Sequence, residues 1–253
     1  MKVIDKGEGR PEIAIVAMMH GDEVCGKKAL DRFLESEFEL QKPVKFIVAN
    51  EEAMEKEERF IDTDLNRCFP GNLESDSHEE RLAAKLMEEL EGLPTLTLHS
   101  MEEFEEMFCL VNTVDEDLIK APGVKKAVDV EPLDKDSIEK YLDAVSVEAG
   151  KIGSEQAEEN AFQLIVNFLA YFDAIDKASS NQRPEMFQMY DVVEGDYEFT
   201  AENFEKVKEG QEFAKNDETA LKAEKAFYPI LMSTDGYDDI LGFKGRKIST
   251  GDR

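Results

Sequence analysis

The chain has 253 residues, 42% hydrophobic and 9% aromatic, enough to bury a core without disulfide or metal staples and too apolar for wholesale disorder. Its 58 acidic and 30 basic residues give a formal net charge of −28. Such a surface repels phosphate backbones and anionic bilayers, so neither nucleic acid nor a membrane is an expected partner. No apolar run reaches the ~18 residues of a membrane-spanning helix.

Residues 1–5 lead straight into strand-like sequence without the long apolar core of an export signal. The three cysteines, Cys25, Cys68 and Cys109, form no CxxC pair. Both features predict a reducing, cytoplasmic setting. The acidic coat suits a salt-rich interior, where self-repulsion is screened, although 22 lysines against 8 arginines are many for an extreme halophile.

Continuous apolar runs at 13–18 and 44–49 predict strands covered on both faces, with further strands at 95–98, 107–112 and 144–147. Helices are expected between them at 22–38, 78–91 and 154–175. In the second, Leu82, Leu86 and Leu90 form one apolar stripe. Ser77 with Glu80 matches a capping box, and Gly92 and Pro94 close that helix. In the third, Phe162, Ile165, Phe168, Leu169, Phe172 and Ile175 share a face. This alternation predicts an α/β fold, a mainly parallel or mixed sheet flanked by helices, over residues 1–176. Beyond the polar stretch 177–185 come short strand-like pieces at 186–193, 196–200, 226–232 and 240–243. Turn signals at Glu194-Gly195-Asp196 and Asp235-Gly236 separate them. Residues 177–253 are therefore read as a small β-rich C-terminal module.

Only three histidines occur. His20 follows the first apolar strand in His20-Gly21-Asp22-Glu23, and His99 follows the strand-like 95–98. In an open α/β sheet such strand ends border the ligand crevice, so the two can converge. Glu23, opening the next helix, lies three residues after His20, a spacing that lets both side chains share one face of a turn. Two nitrogens and a carboxylate suit a catalytic zinc with a fourth position left to water. The same turn can equally be a helix cap whose acids complement the dipole. His78, at a helix start, reads as a solvent-facing residue. Residues 59–71 are turn-like and carry Arg59 and Arg67, whose planar forks grip carboxylates. Asp62 or Asp64 pairing locally with an arginine is the plainer reading of that segment.

Four pieces in order, His20-Gly21-Asp22-Glu23, then Asp64-Leu65-Asn66-Arg67 with Arg59 upstream, then Leu98-His99-Ser100, then Val147-Glu148-Ala149-Gly150, resemble the zinc-dependent succinylglutamate desuccinylase/aspartoacylase family of the zinc carboxypeptidase-like fold. The resemblance spans residues 13–150. It implies one zinc per chain held by His20, Glu23 and His99, with Glu148 as general base. It also implies Arg59 polarising the scissile carbonyl, and Asn66 and Arg67 holding the carboxylate of an N-acyl amino acid. The implied activity is a zinc amidohydrolase, or deacylase, acting on a small molecule. A zinc carboxypeptidase and a catalytically silent metal- or ligand-binding protein are the alternatives, and a homo-oligomer is compatible with each. Two departures stand out. The family's Asp two residues before the last zinc ligand is Thr97 here, and residues 100–148 contain no arginine. Five lysines, Lys120, Lys125, Lys126, Lys135 and Lys140, are the cations available there for an acidic acyl end.

Overall fold

The computed structural model describes residues 1–101, 104–234 and 239–249. The chain forms two compact units. The first contains Met1–Ala127 and Asp134–Pro184; the second contains Val128–Leu133 and the chain from Glu185 onward. Composition assigns 128–133 to the first unit, whereas the short turn at Glu131–Leu133 packs on the long strand β8 (Glu185–Glu194) of the second.

The first unit is built on strands ordered β1-β3-β2-β4-β7-β5 and on the start of β6, which follows β5 in that order. Its strands are β1 (Lys2–Lys6), β2 (Ile13–Ala17), β3 (Val44–Val48), β4 (Thr95–Met101), β5 (Phe108–Val111), β6 (Lys126–Asp129) and β7 (Ala144–Lys151). Strands β3, β2, β4 and β7 run parallel, while β1 and β5 pair antiparallel to β3 and β7. Every residue of β2 is buried, as its unbroken apolar sequence requires of a strand covered on both faces. Ala14 and Val16 face the cluster holding Leu82, Leu86 and Leu90 of α3 (His78–Leu90). The alternate residue Ala17 lies in contact range of Gly26 in α1 (Cys25–Leu34). Helix α1 packs along α5 (Glu155–Tyr171), where Arg32 donates to Glu159 at 2.5 Å and stacks 3.9 Å over the Phe162 ring.

Two expected helices are shorter in the structure. Helix α1 starts at Cys25 with Val24 as N-cap, because residues 20–24 form a turn rather than a first helical turn. Helix α5 ends at Tyr171, and Ile175 instead bridges to Leu40. The α3 cap is half a capping box. Ser77 Oγ accepts from Glu80 N at 3.4 Å, while Ser77 N turns to Ser75 Oγ at 3.1 Å. Gly92 closes that helix with φ +72°, as a C-terminal glycine does. Helix α2 (Glu51–Lys56), helix α4 (Glu116–Lys120) and strand β6 carry too little periodicity to be read in advance.

The second unit is antiparallel. Strand β8 pairs with β13 (Ile240–Ile248), which pairs with β12 (Tyr228–Ile230). A smaller sheet is ordered β11-β10-β9, made of β9 (Glu198–Phe199), β10 (Glu212–Lys215) and β11 (Ala220–Lys222). Val193, Val207, Phe213, Phe227, Met232 and Leu241 form its core. Strand β13 runs past the expected 243 because bulges at Gly242 and Gly245 carry pairing through an apolar-poor stretch. The turn expected at Asp235-Gly236 lies outside the described residues. Among those described, no helix is long and apolar enough to cross a membrane, and all three cysteines are free thiols.

Gly71 adopts φ +81°, and a Cβ there would lie 2.2 Å from Ala84 N and 2.5 Å from Glu80 O on the α3 backbone. Gly71→Ala should therefore lower stability in urea unfolding by at least about 1–3 kcal/mol, whereas Gly153→Ala, with nothing near, should cost less.

Candidate metal and active site

Strand β2 is followed by Met18, a buried residue held at φ 62°. This left-handed step is costly for a side-chain-bearing residue, and it turns the chain from the sheet into His20-Gly21-Asp22-Glu23. Gly21 is required there. A Cβ would meet Ala53 C at 2.3 Å and Glu58 O at 2.4 Å, and its N–H donates to Arg59 O at 3.0 Å. The turn is thus locked to the segment that bears Arg59.

His20, Glu23 and His99 are buried, at 3%, 2% and 3% exposure, so a charge among them must be balanced locally. Glu23 Oε1 lies 2.7 Å from His20 Nδ1, and Glu23 Oε2 lies 3.0 Å from His99 Nδ1. The two rings sit 5.3 Å apart. One donor atom from each of the three residues falls within 4.8 Å of the others. Arg59 Nη1 donates to Glu23 Oε1 at 3.0 Å, and Ser100 N to Glu23 Oε2 at 3.3 Å. His20 Nε2 meets Asp64 Oδ1 at 2.9 Å.

His99 and Glu148 lie within β4 and β7 rather than just past their ends. They are register partners across the parallel pair, which places both side chains on one face. Glu148 Oε2 and His99 Nε2 are buried with no hydrogen-bond partner among the described residues. Thr97 does not supply the acceptor its position suggests: its hydroxyl bonds Ser146 instead.

The electrostatics follow from this crowding. Burial works against the charge of His20, but Glu23 and Asp64 outweigh it and raise its pKa to about 9. Burial pulls Glu23 upward, yet His20 and His99 hold it well below the usual carboxylate range. Asp64 is likewise held low, by His20 with Arg67 and Arg59, against its own desolvation. Glu148 moves the other way. Burial pushes it to about 7, against the pull of His99 and with the repulsion of Glu23.

Asn66 and Arg67 occupy a short 3-10 turn, Leu65–Arg67, capped by Asp64. Asn66 Oδ1 accepts from Ile138 N at 3.0 Å, which fixes the amide orientation and leaves Nδ2 as the outward donor. Arg67 is exposed and anchored at 2.6 Å on Asn66 O. Of the five lysines, Lys120, Lys126 and Lys140 pair with Glu116, Glu106 and Asp136, and Lys125 and Lys135 are exposed. Sequence reasoning assigned no role to Asn50 or Glu79, both wholly buried. It also expected His78 to face solvent, whereas its Nε2 lies 3.0 Å from Asn50 Oδ1.

Residues 10–100 match the succinylglutamate desuccinylase/aspartoacylase catalytic domain. The match covers about a third of the chain, and that stretch is similar to this catalytic domain. A succinylglutamate desuccinylase of Pseudomonas fluorescens strain Pf-5 is 35% identical over 83 residues, 31% of this chain and 25% of that protein. One of Ectopseudomonas mendocina is 34% identical over the same shares. The matched region thus spans about a quarter of these curated relatives. The crystal structure of a succinylglutamate desuccinylase/aspartoacylase from Rhodobacter sphaeroides superposes with TM-score 0.77 at 16% identity, covering 97% of this chain and 89% of that one. The ectoine utilization protein EutE (DoeB) from Ruegeria pomeroyi gives 0.77 at 17%, covering 96% and 88%. Murine aminoacylase 3 gives 0.71 at 17%, covering 95% and 97%. At such identities these neighbours establish a shared fold.

The trio His20, Glu23 and His99 offers two imidazoles and a carboxylate, buried, with both Nδ1 atoms turned to the carboxylate. That donor set fits a divalent ion of zinc's character. Equilibrium dialysis of stripped protein should return about one zinc per chain, and His99→Ala should weaken binding by more than the roughly 10–100-fold of a lost outer-shell partner.

Proposed function

We propose that the chain is a zinc-dependent amidohydrolase that cleaves the amide bond of an N-acyl amino acid, giving a carboxylic acid and a free amino acid. The observation that carries this reading is the buried, unpartnered Glu148 Oε2 in register with His99, beside the convergence of His20 and His99 on Glu23. A purely structural ion-pair cluster gives no reason to bury an oxygen of a second carboxylate without a partner, since burying an unsatisfied polar group is costly.

His20, Glu23 and His99 would hold the ion. Zinc, when bound, supplies a Lewis acid that acidifies a water and polarises a carbonyl. Glu148 takes the proton of the attacking water as the new C–O bond forms, and delivers it to the amine nitrogen as the C–N bond breaks. Its burial suits a group that must hold a proton between the two steps. Arg59, whose head group adjoins Glu23 and whose side chain is 44% exposed, donates to the carbonyl oxygen as negative charge develops. Asn66 Nδ2 and Arg67 hold the substrate carboxylate, the guanidinium through its planar fork. Asp64 orients His20 through Nε2, as the outer partner of a ligating histidine does. The free thiols and acidic coat accord with a cytoplasmic protein.

The direct test is free-amine release from N-acetyl, N-succinyl and N-formyl amino acids and short peptides, with zinc and with a chelator. Chelator-sensitive release from an N-acyl amino acid is the expected result; release from peptides alone would make the protein a carboxypeptidase. Glu148→Gln should keep its zinc and lose about 10²–10⁴-fold in kcat, and a variant that turns over normally at full zinc would rule out Glu148 as the base. Arg67→Ala should chiefly raise KM, because it removes ground-state binding; an unchanged KM would rule out the carboxylate clamp.

A further inference from the structure

The segment 58–64 carries Arg59 at one end and Asp64 at the other, and none of it lies in a helix or strand. Three consecutive backbone N–H groups in its middle converge on one side chain. Ile61 N donates to Glu79 Oε1 at 2.7 Å, and Asp62 N and Thr63 N donate to Glu79 Oε2 at 3.0 and 3.3 Å. Glu79 stands in the first turn of α3 and is 0% exposed. Its Oε1 also accepts from Asn50 Nδ2 at 3.0 Å, while Asn50 Oδ1 caps α2 through Ala53 N. The segment answers from its own side: Asp62 Oδ2 accepts from His78 N at 2.7 Å.

We propose that Glu79 is the positioning residue for Arg59: one buried carboxylate, gripping the backbone at residues 61–63, sets where the Arg59 guanidinium stands against Glu23. This rests on the proposed hydrolase reading. An acid in a first helical turn is ordinarily there for the helix dipole, and it needs neither full burial nor donors from another segment. Here both oxygens are saturated by four donors, all from outside α3. Glu79→Gln keeps the size but sets an amide donor against one of the two donor pairs, leaving buried N–H groups unsatisfied. Asn66 is tied separately to Ile138 N, so the carboxylate-binding end should be spared.

The experiment compares wild type, Glu79→Gln, Arg59→Ala and the double variant by zinc content, steady-state kinetics and amide hydrogen exchange. Glu79→Gln should retain its zinc, lose about 10–100-fold in kcat and change KM by less than about 3-fold. Amides 61–63 should exchange at least about 10-fold faster, with α3 unchanged. In the Arg59→Ala background the further loss should be under about 2-fold, because the two act through one interaction. Wild-type kcat, a full multiplicative loss in the double variant, or unaltered exchange at 61–63 would overturn the proposal. Should no substrate be turned over by wild type, the hydrolase reading fails by itself, and the exchange at 61–63 still decides the clamp. If Glu79→Gln does not fold, exchange in wild type decides: protection of Ile61, Asp62 and Thr63 well above free-peptide rates supports the clamp, and free-peptide rates refute it.

Discussion

The site depends on one carboxylate. Glu23 is 2% exposed and takes His20, His99, Arg59 and Ser100 N on its two oxygens. A buried carboxylate is tolerable only when its oxygens are saturated and its charge is matched, and the surrounding chain is shaped to do both. The left-handed Met18 turns the strand, Gly21 lets the α2 backbone close to contact, and the Gly21–Arg59 bond ties the turn to the arginine segment. The partners come from three separate stretches, 20–23, 59–64 and 99–100. Glu23 thus draws together three stretches of the first unit that are far apart in sequence.

The same logic shows how a chain of net charge −28 keeps cationic groups at the site. Bulk acidity opposes approach, but screening confines that opposition to about a Debye length, whereas the local arrangement decides binding. Arg59 and Arg67 stand within a few residues of each other, and their nearest acids are already engaged: Glu23 and Asp64 by His20, Glu79 by the backbone. Arg59 shares Glu23 with the two histidines, donating to it at 3.0 Å, and Arg67 donates to Asn66 O at 2.6 Å. The lysines of 100–148 differ, since three of them are held by neighbouring acids.

Much of this was legible in sequence because buried parallel strands are written as unbroken apolar runs. The run at 13–18, the Leu82-Leu86-Leu90 stripe and the Ser77 cap each state a local preference that packing agrees with. His20 and His99 were conspicuous because histidine is scarce. Glu23 was legible only as a neighbour of His20, and its place before the helix rather than in it was not, since nothing local marks residues 20–24 as a turn held by Arg59 O. Glu79 was invisible for a physical reason. One acid among Ser77-His78-Glu79-Glu80 looks like any first-turn acid, and what separates it is a set of backbone donors 16 to 18 positions away. Short elements such as α2 and β6, and the long β13 with its two bulged glycines, are products of tertiary pairing rather than of their own periodicity.

The two imidazoles are chemically unequal. His20 lies between two carboxylates, Glu23 at Nδ1 and Asp64 at Nε2, so without a metal it is favoured as an imidazolium donating to both. His99 has Glu23 at Nδ1 and an Nε2 with no partner among the described residues. A ligating histidine must present a bare nitrogen. If His20 held an ion, one of its nitrogens would have to give up its proton, and Asp64, 2.9 Å from Nε2, would be placed to orient the ring. At His99 no such outer acceptor guides the ring, and its direction rests on packing within β4 and on Glu23. Asp64 thus stands at the outer nitrogen of His20, a position with no counterpart at His99 among the described residues.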